Sequence, residues 1–74
     1  MKVYIKLVDK TVFDMDIDIH STVLLLKYKI EEDYNISVNR QRLIYDGITM
    51  MDENILEKYN LRENSEIHLV FQMM

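Results

Sequence analysis

The chain of 74 residues contains no cysteine. Disulfides, cysteine-ligated metal sites and thiol catalysis are therefore excluded. Glycine occurs once, at Gly47, so there is no glycine-rich loop to cradle a phosphate. No apolar run approaches the ~20 residues that span a bilayer. Basic residues are in the minority, with nine Lys and Arg against thirteen Asp and Glu and a formal charge of −4. Nucleic-acid binding draws much of its affinity from neutralised phosphates, so an acidic chain with scattered cations argues against it. Histidine is sparse too. His20 and His68 lie in different segments, with no second histidine at metal-ligand spacing. We expect no catalytic residues, no metal site and no cofactor.

Apolar residues make up 49% of the chain and charged residues 30%, which suits a folded soluble domain. At this length there is room for one domain and one core, spanning residues 1–74. Without disulfide or metal staples, stability must come from packing. The lack of cysteine fits a reducing compartment, and Met1 to Lys6 alternates like a strand rather than a signal peptide. The expected setting is cytoplasmic, nuclear or both, and the expected state is a monomer away from membranes.

Met1, Val3, Ile5 and Leu7 alternate with Lys2, Tyr4 and Lys6. Phe13, Met15 and Ile17 alternate with Asp14, Asp16 and Asp18. Both segments read as half-buried strands, and the short Val8 to Thr11 link makes them an antiparallel hairpin. The period then changes. Val23, Leu26 and Ile30, with Tyr34 near the end, recur at helical spacing behind a Thr22 N-cap, for which Ser21 is a rival. Asn35 suits a left-handed helix end. Glu31, Glu32 and Asp33 oppose the helix dipole there, so packing must hold this helix.

A strand from about Arg40 to Tyr45 follows, then an Asp46-Gly47 turn, which is a good hairpin signal. A brief strand is expected at Ile48 to Met50. Asp52 to Asn64 is irregular, anchored by Leu56, Tyr59 and Leu61, and the last strand runs from about Ser65 to Phe71. The order predicts an α+β domain with one helix across one face of a sheet of about five strands.

Two aliphatics break the alternation. Ile44 shares a face with Arg42, and Val70 shares one with His68. Slipping the register by one residue would bury Ile44, but it would also expose Leu43 and Tyr45 and bury Arg42. An apolar pair on a solvent face marks a docking surface. The run Asp14-Met15-Asp16-Ile17-Asp18 resembles the start of a calcium loop. Such a loop needs glycine where Ile19 stands and glutamate where Leu25 stands, so a solvated strand face is the better reading.

Gln41-Arg42-Leu43-Ile44 with Gly47, then Leu56, Tyr59-Asn60, Ser65 and His68-Leu69-Val70, carry a family resemblance. Lys6, Thr22, Lys27, Lys29, Ile30, Ile36 and Asp52 belong to the same set. The chain resembles ubiquitin over essentially its whole length without gaps, and the resemblance implies a ubiquitin-like β-grasp with a mixed sheet. It also implies that Val8, Ile44, His68 and Val70 form one partner-binding patch, with Arg42 and His68 as polar members and Gly47 allowing close backbone approach. A partner helix laying an apolar stripe there is the implied mode. Ile36, Phe71 and Met73 correspond to a second apolar patch, which Met74 extends. Lys6, Lys27 and Lys29 match lysines that serve as linkage points in ubiquitin. Leu24, Leu25, Tyr28, Ile48 and Met51 add apolar surface where ubiquitin is more polar.

The departures bear on function. The family's modifiers end in a glycine pair whose carboxylate is activated and joined to a target lysine. This sequence ends Phe71-Gln72-Met73-Met74, and a chain ending so is not expected to be conjugated by that chemistry. Ile48 and Glu63 stand where ubiquitin has its two best-known chain-linking lysines. Tyr45, Met50 and Glu31-Glu32 are closer to the relative that modifies cullins, while Leu-Ile-Tyr-Asp-Gly resembles the ubiquitin-like domains of proteasome shuttle proteins. Lys10, Asn35 and Glu53 replace family glycines, and Ile19, Ser37 and Val38 replace prolines. Lys10 and Glu53 bring the local turn geometry into question, since a left-handed backbone costs a non-glycine residue roughly 1 kcal/mol.

Three functional readings follow from the resemblance. The leading one is a non-covalent recognition module for ubiquitin-receptor or proteasome-receptor proteins. The alternative is a conjugated modifier whose glycine pair lies beyond Met74, with activating and conjugating enzymes as further partners. The third is a ubiquitin mimic that cannot be attached.

Overall fold

In the computed structural model of the chain, residues 1–72 are described, and Met73 and Met74 lie outside the described residues. The first two alternating segments form the hairpin of β1 (Lys2–Leu7) and β2 (Val12–Asp16), paired antiparallel. Its turn is closed by Lys10 N–H donating to Leu7 O at 3.0 Å. The Asp9 carboxylate accepts from Thr11 N–H at 2.9 Å. Lys10 takes φ 73°, so it accepts the left-handed geometry of the glycine it replaces, at a cost of about 1 kcal/mol. Glu53 does not adopt positive φ, so no such strain arises there.

Helix α1 (Val23–Tyr34) is capped as its sequence dictates. The Thr22 hydroxyl accepts from Leu25 N–H at 3.2 Å, and Asn35 closes the other end at φ 58°. Val23, Leu26 and Ile30 are buried. Two side chains depart from the expected stripe. Tyr34 is exposed rather than buried and stacks on Phe13 of the edge strand β2, with ring centroids 3.7 Å apart. Lys27 is buried instead, with its ammonium 2.6 Å from the Asp52 carboxylate.

A 3-10 turn over Val38–Arg40 leads into β3 (Gln41–Tyr45), so Arg40 precedes the strand rather than opening it. The Asp46-Gly47 turn joins β3 to β4 (Ile48–Thr49), and both turn residues have positive φ, at 55° and 77°. That is the pattern of a type I′ hairpin, whose twist matches that of the strands. Met50 falls just beyond β4 and drops into the core, with its N–H bonded to Leu43 O at 2.8 Å. A second 3-10 turn over Leu56–Tyr59 precedes β5 (Ser65–Phe71). Leu56 and Leu61 are buried, and Tyr59 packs on the core. Its hydroxyl accepts from Met51 N–H at 2.8 Å and from the Asn54 amide at 2.9 Å, which ties the irregular segment together.

The strands assemble in the order β2-β1-β5-β3-β4. β1 and β5 are parallel at the centre, while the other pairs are antiparallel. Only a long crossover can join parallel neighbours, and here the crossover includes α1. The result is the expected α+β β-grasp. Val3, Ile5, Leu43, Ile67 and Leu69 are fully buried, and each such side chain contributes about 1.5–3 kcal/mol of transfer free energy. Gln41 shares this inner face. Its amide donates to Lys27 O at 2.9 Å and to Ile36 O at 3.0 Å, linking helix to sheet.

Candidate docking face

Period-2 alternation sends Leu43 and Leu69 inward, fully buried and paired with each other across β3 and β5. Their neighbours must then point outward. Arg42 and His68 are exposed, while Ile44 and Val70 are partly exposed. The slipped register is excluded, because it would turn the Leu43–Leu69 pair out and Arg42 in.

The antiparallel register sets Ile44 opposite His68 and Arg42 opposite Val70. Ile44 and Val70 are therefore diagonal neighbours on one face, about 7–8 Å apart and within mutual reach of a bound side chain. On the flanks, Thr49 of β4 lies opposite Ile44, and Lys6 of β1 lies opposite His68. Val8 follows Leu7, whose β5 partner is Leu69, so it leaves the sheet at the end of β5 that carries Val70. It is 73% exposed. Ile44, His68 and Val70 thus share one surface, with Val8 at its border. The flanking side chains Lys6 and Arg42 are cationic, although the chain as a whole is acidic.

Gly47 sits in the hairpin turn beside this face. A Cβ placed there would meet nothing within 4 Å. The turn needs glycine for its positive φ, and the backbone stays open to an approaching partner.

Of the second apolar set, Ile36 packs partly on the core and Phe71 is 47% exposed. Both border a cleft of about 440 Å³ with Arg40. Met73 lies outside the described residues.

The three lysines differ in environment. Lys6 is on the outer sheet face beside His68. Lys29 donates to Asp16 O at 2.7 Å. Lys27 is buried against Asp52 rather than standing on a charged surface. The extra apolar side chains do reach solvent, with Leu25, Tyr28, Ile48 and Met51 each more than half exposed and Leu24 partly so. Asp14 and Asp16 lie exposed on β2, and the Asp18 carboxylate accepts from His20 N–H at 2.9 Å. This run is a strand face and a turn.

Sequence reasoning did not single out Gln41 and Lys27 as inward-facing polar groups. The signal was present in both cases: Gln41 is two residues before Leu43, and Lys27 is four after Val23.

The ubiquitin family model matches residues 3–73. Ubiquitin-like protein 1 of Schizosaccharomyces pombe is 34% identical over 73 residues, covering 99% of this chain and 94% of that protein. NEDD8-like protein RUB3 of Arabidopsis thaliana is 30% identical with the same coverage. The UV excision repair protein RAD23 homolog of Dictyostelium discoideum is 33% identical over 72 residues, covering 97% of this chain but 21% of that protein. The similarity thus extends both to proteins of nearly this length and to a segment of a much longer one. The match runs through the whole sheet and helix, and with it this chain belongs to the ubiquitin family.

Proposed function

We propose that the chain is a ubiquitin-like recognition module that docks ubiquitin-receptor or proteasome-receptor proteins without covalent attachment. Val8, Ile44, His68 and Val70 make the contact, with Arg42 at the rim and Gly47 leaving room for the partner backbone. The observation that carries this reading is the diagonal placement of Ile44 and Val70 on the outer face while Leu43 and Leu69 beside them are fully buried. The outward aliphatics are only partly covered by their own chain, and a partner's apolar stripe covers the rest. No reacting group is required, so the module acts by binding rather than by catalysis.

The test is titration of the isotopically labelled chain with a ubiquitin-interacting helical peptide. Amide shifts are expected around Ile44 and Val70, and Ile44→Ala is expected to weaken binding while leaving the spectrum dispersed. Absence of shifts at those amides in the parent chain would sink the proposal for that receptor class.

The near-equal length of the S. pombe and A. thaliana relatives favours a second reading, a modifier conjugated to target lysines. It predicts a coding sequence that continues past Met74 into a glycine pair, and thioester formation with an activating enzyme. A natural stop after Met74 favours the mimic.

A further inference from the structure

The β3–β4 hairpin has a second face. Tyr45 pairs with Ile48, so both project away from the side that carries Ile44 and Thr49. Behind the hairpin lies an open cleft of about 480 Å³, lined by Tyr45, Asp46, Ile48, Lys58, Tyr59 and Arg62 among others.

Its walls are preset. The Tyr45 hydroxyl is 3.2 Å from Ser65 Oγ, which also accepts from Arg62 N–H at 2.8 Å. The Tyr59 hydroxyl is held by Met51 N–H and the Asn54 amide. Both rings are anchored at their polar ends and offer apolar surface. Ile48 is 57% exposed beside them. The lining carries two cations against one carboxylate, in a chain whose net charge is −4. Neither Lys58 nor Arg62 forms an ion pair among the described residues.

We infer that this cleft binds an acidic peptide segment in which a large apolar side chain stands between carboxylates. The apolar side chain lies against Ile48 and the two tyrosine rings, and the carboxylates pair with Lys58 and Arg62. A simple anion leaves the apolar lining uncovered. A nucleic acid needs a run of cations along its phosphates, and the cleft supplies two beside a carboxylate. The inference does not rest on the docking role of Ile44 and Val70, which lie on the other side of the hairpin.

The experiment titrates the labelled chain with a capped Asp-Glu-Leu-Asp-Glu peptide. Two controls replace every acid by lysine, or the leucine by glycine. Saturable shifts are expected at Tyr45, Ile48, Lys58, Asn60 and Arg62, with Ile44 and Val70 unmoved. Binding is expected to weaken as salt is raised. The basic peptide is expected not to bind, and the glycine peptide to bind about fivefold more weakly. The double variant Lys58→Glu, Arg62→Glu is expected to lose the shifts while keeping a dispersed spectrum, since both side chains are exposed and unbridged. Ile48→Ser is expected to cost about fivefold as well. The inference is overturned by no saturable shift, by equal binding of the basic peptide, or by binding that survives the double charge reversal. Indifference to both the leucine and Ile48 also overturns it, because the cleft then holds charge alone. Failure here leaves the shifts at Ile44 and Val70 with a helical peptide unaffected.

Discussion

Leu43 and Ile44 are consecutive residues of one strand, and truncating each to alanine should have opposite consequences. Leu43 is fully buried and pairs with Leu69 in the core. Leu43→Ala removes buried methyl groups and leaves a cavity, a change that costs about 3 kcal/mol in tightly packed cores. Ile44 is partly exposed on the outer face, so Ile44→Ala forfeits only part of a full burial, about 1 kcal/mol. Unfolding entropy near ~2.1 cal/mol/K per residue gives roughly 155 cal/mol/K for a chain of 74 residues. The two losses then correspond to falls in Tm of about 20 °C and about 6 °C. Urea denaturation followed by circular dichroism gives both free energies directly. The peptide titration reverses the order: the folded fraction of Leu43→Ala keeps its affinity for the helical peptide, and Ile44→Ala loses about fivefold or more. Equal destabilisation by the two substitutions would refute the assignment of faces. Ile44→Ala with low cost and undiminished binding would leave the faces right and the docking role wrong.

Two further outcomes test the packing. Thr11 N–H and its neighbouring contacts hold the Asp9 carboxyl below its ordinary 3.8. A depressed folded value means the bond contributes fully above the unfolded value and is lost as pH falls through the folded one. A carboxyl NMR titration should give Asp9 a pKa below 3.8, and Asp9→Asn should remove that part of the acid sensitivity; an unshifted Asp9 contradicts the turn geometry. For the Lys27–Asp52 pair, Lys27→Met keeps the side-chain volume and removes the buried charge, so its stability should lie within about 1 kcal/mol of the parent. Asp52→Ala strands the ammonium, and its denaturation midpoint should fall below that of Lys27→Met. The reverse order would contradict burial of Lys27.

The strands and helix were legible because their signals are local. Alternation in Val3-Tyr4-Ile5 and in Leu43-Ile44 fixes which side chains turn inward, whatever lies opposite. The Thr22 and Asn35 caps depend only on backbone groups within four residues. Asp46-Gly47 needs only its own dihedrals to make the hairpin. The outward position of Ile44 and Val70 is the same kind of inference, and it survives in the structure for the same reason. The inward side of Gln41 was readable in principle, but its two carbonyl partners belong to the middle of the helix and the loop beyond it, which only packing brings together.

The residues that departed from expectation depend on neighbours distant in sequence. Tyr34 lies at helical spacing with the buried stripe, yet it reaches only the edge strand β2, where its ring stacks on Phe13 and stays exposed. Lys27 is drawn inward because Asp52, twenty-five residues away, supplies a carboxylate at 2.6 Å. Glu53 escapes the strain its family position suggests, whereas Lys10 accepts it.

The absence of cysteine, the lone glycine, the acidic balance and the alternating periods were properties of the sequence by itself. They determined a packed α+β domain without thiol chemistry or a phosphate loop, and they placed two aliphatics on a solvent face. Beyond the two hairpins, tertiary structure alone decided which strands are neighbours. By placing β5 between β1 and β3 it set Ile44 diagonal to Val70 and His68 beside Lys6. It also gathered Ile48, Lys58 and Arg62 around one cleft. The reason is physical: side-chain direction follows from local dihedrals, whereas a binding surface is made of residues whose proximity depends on how the whole chain buries its core.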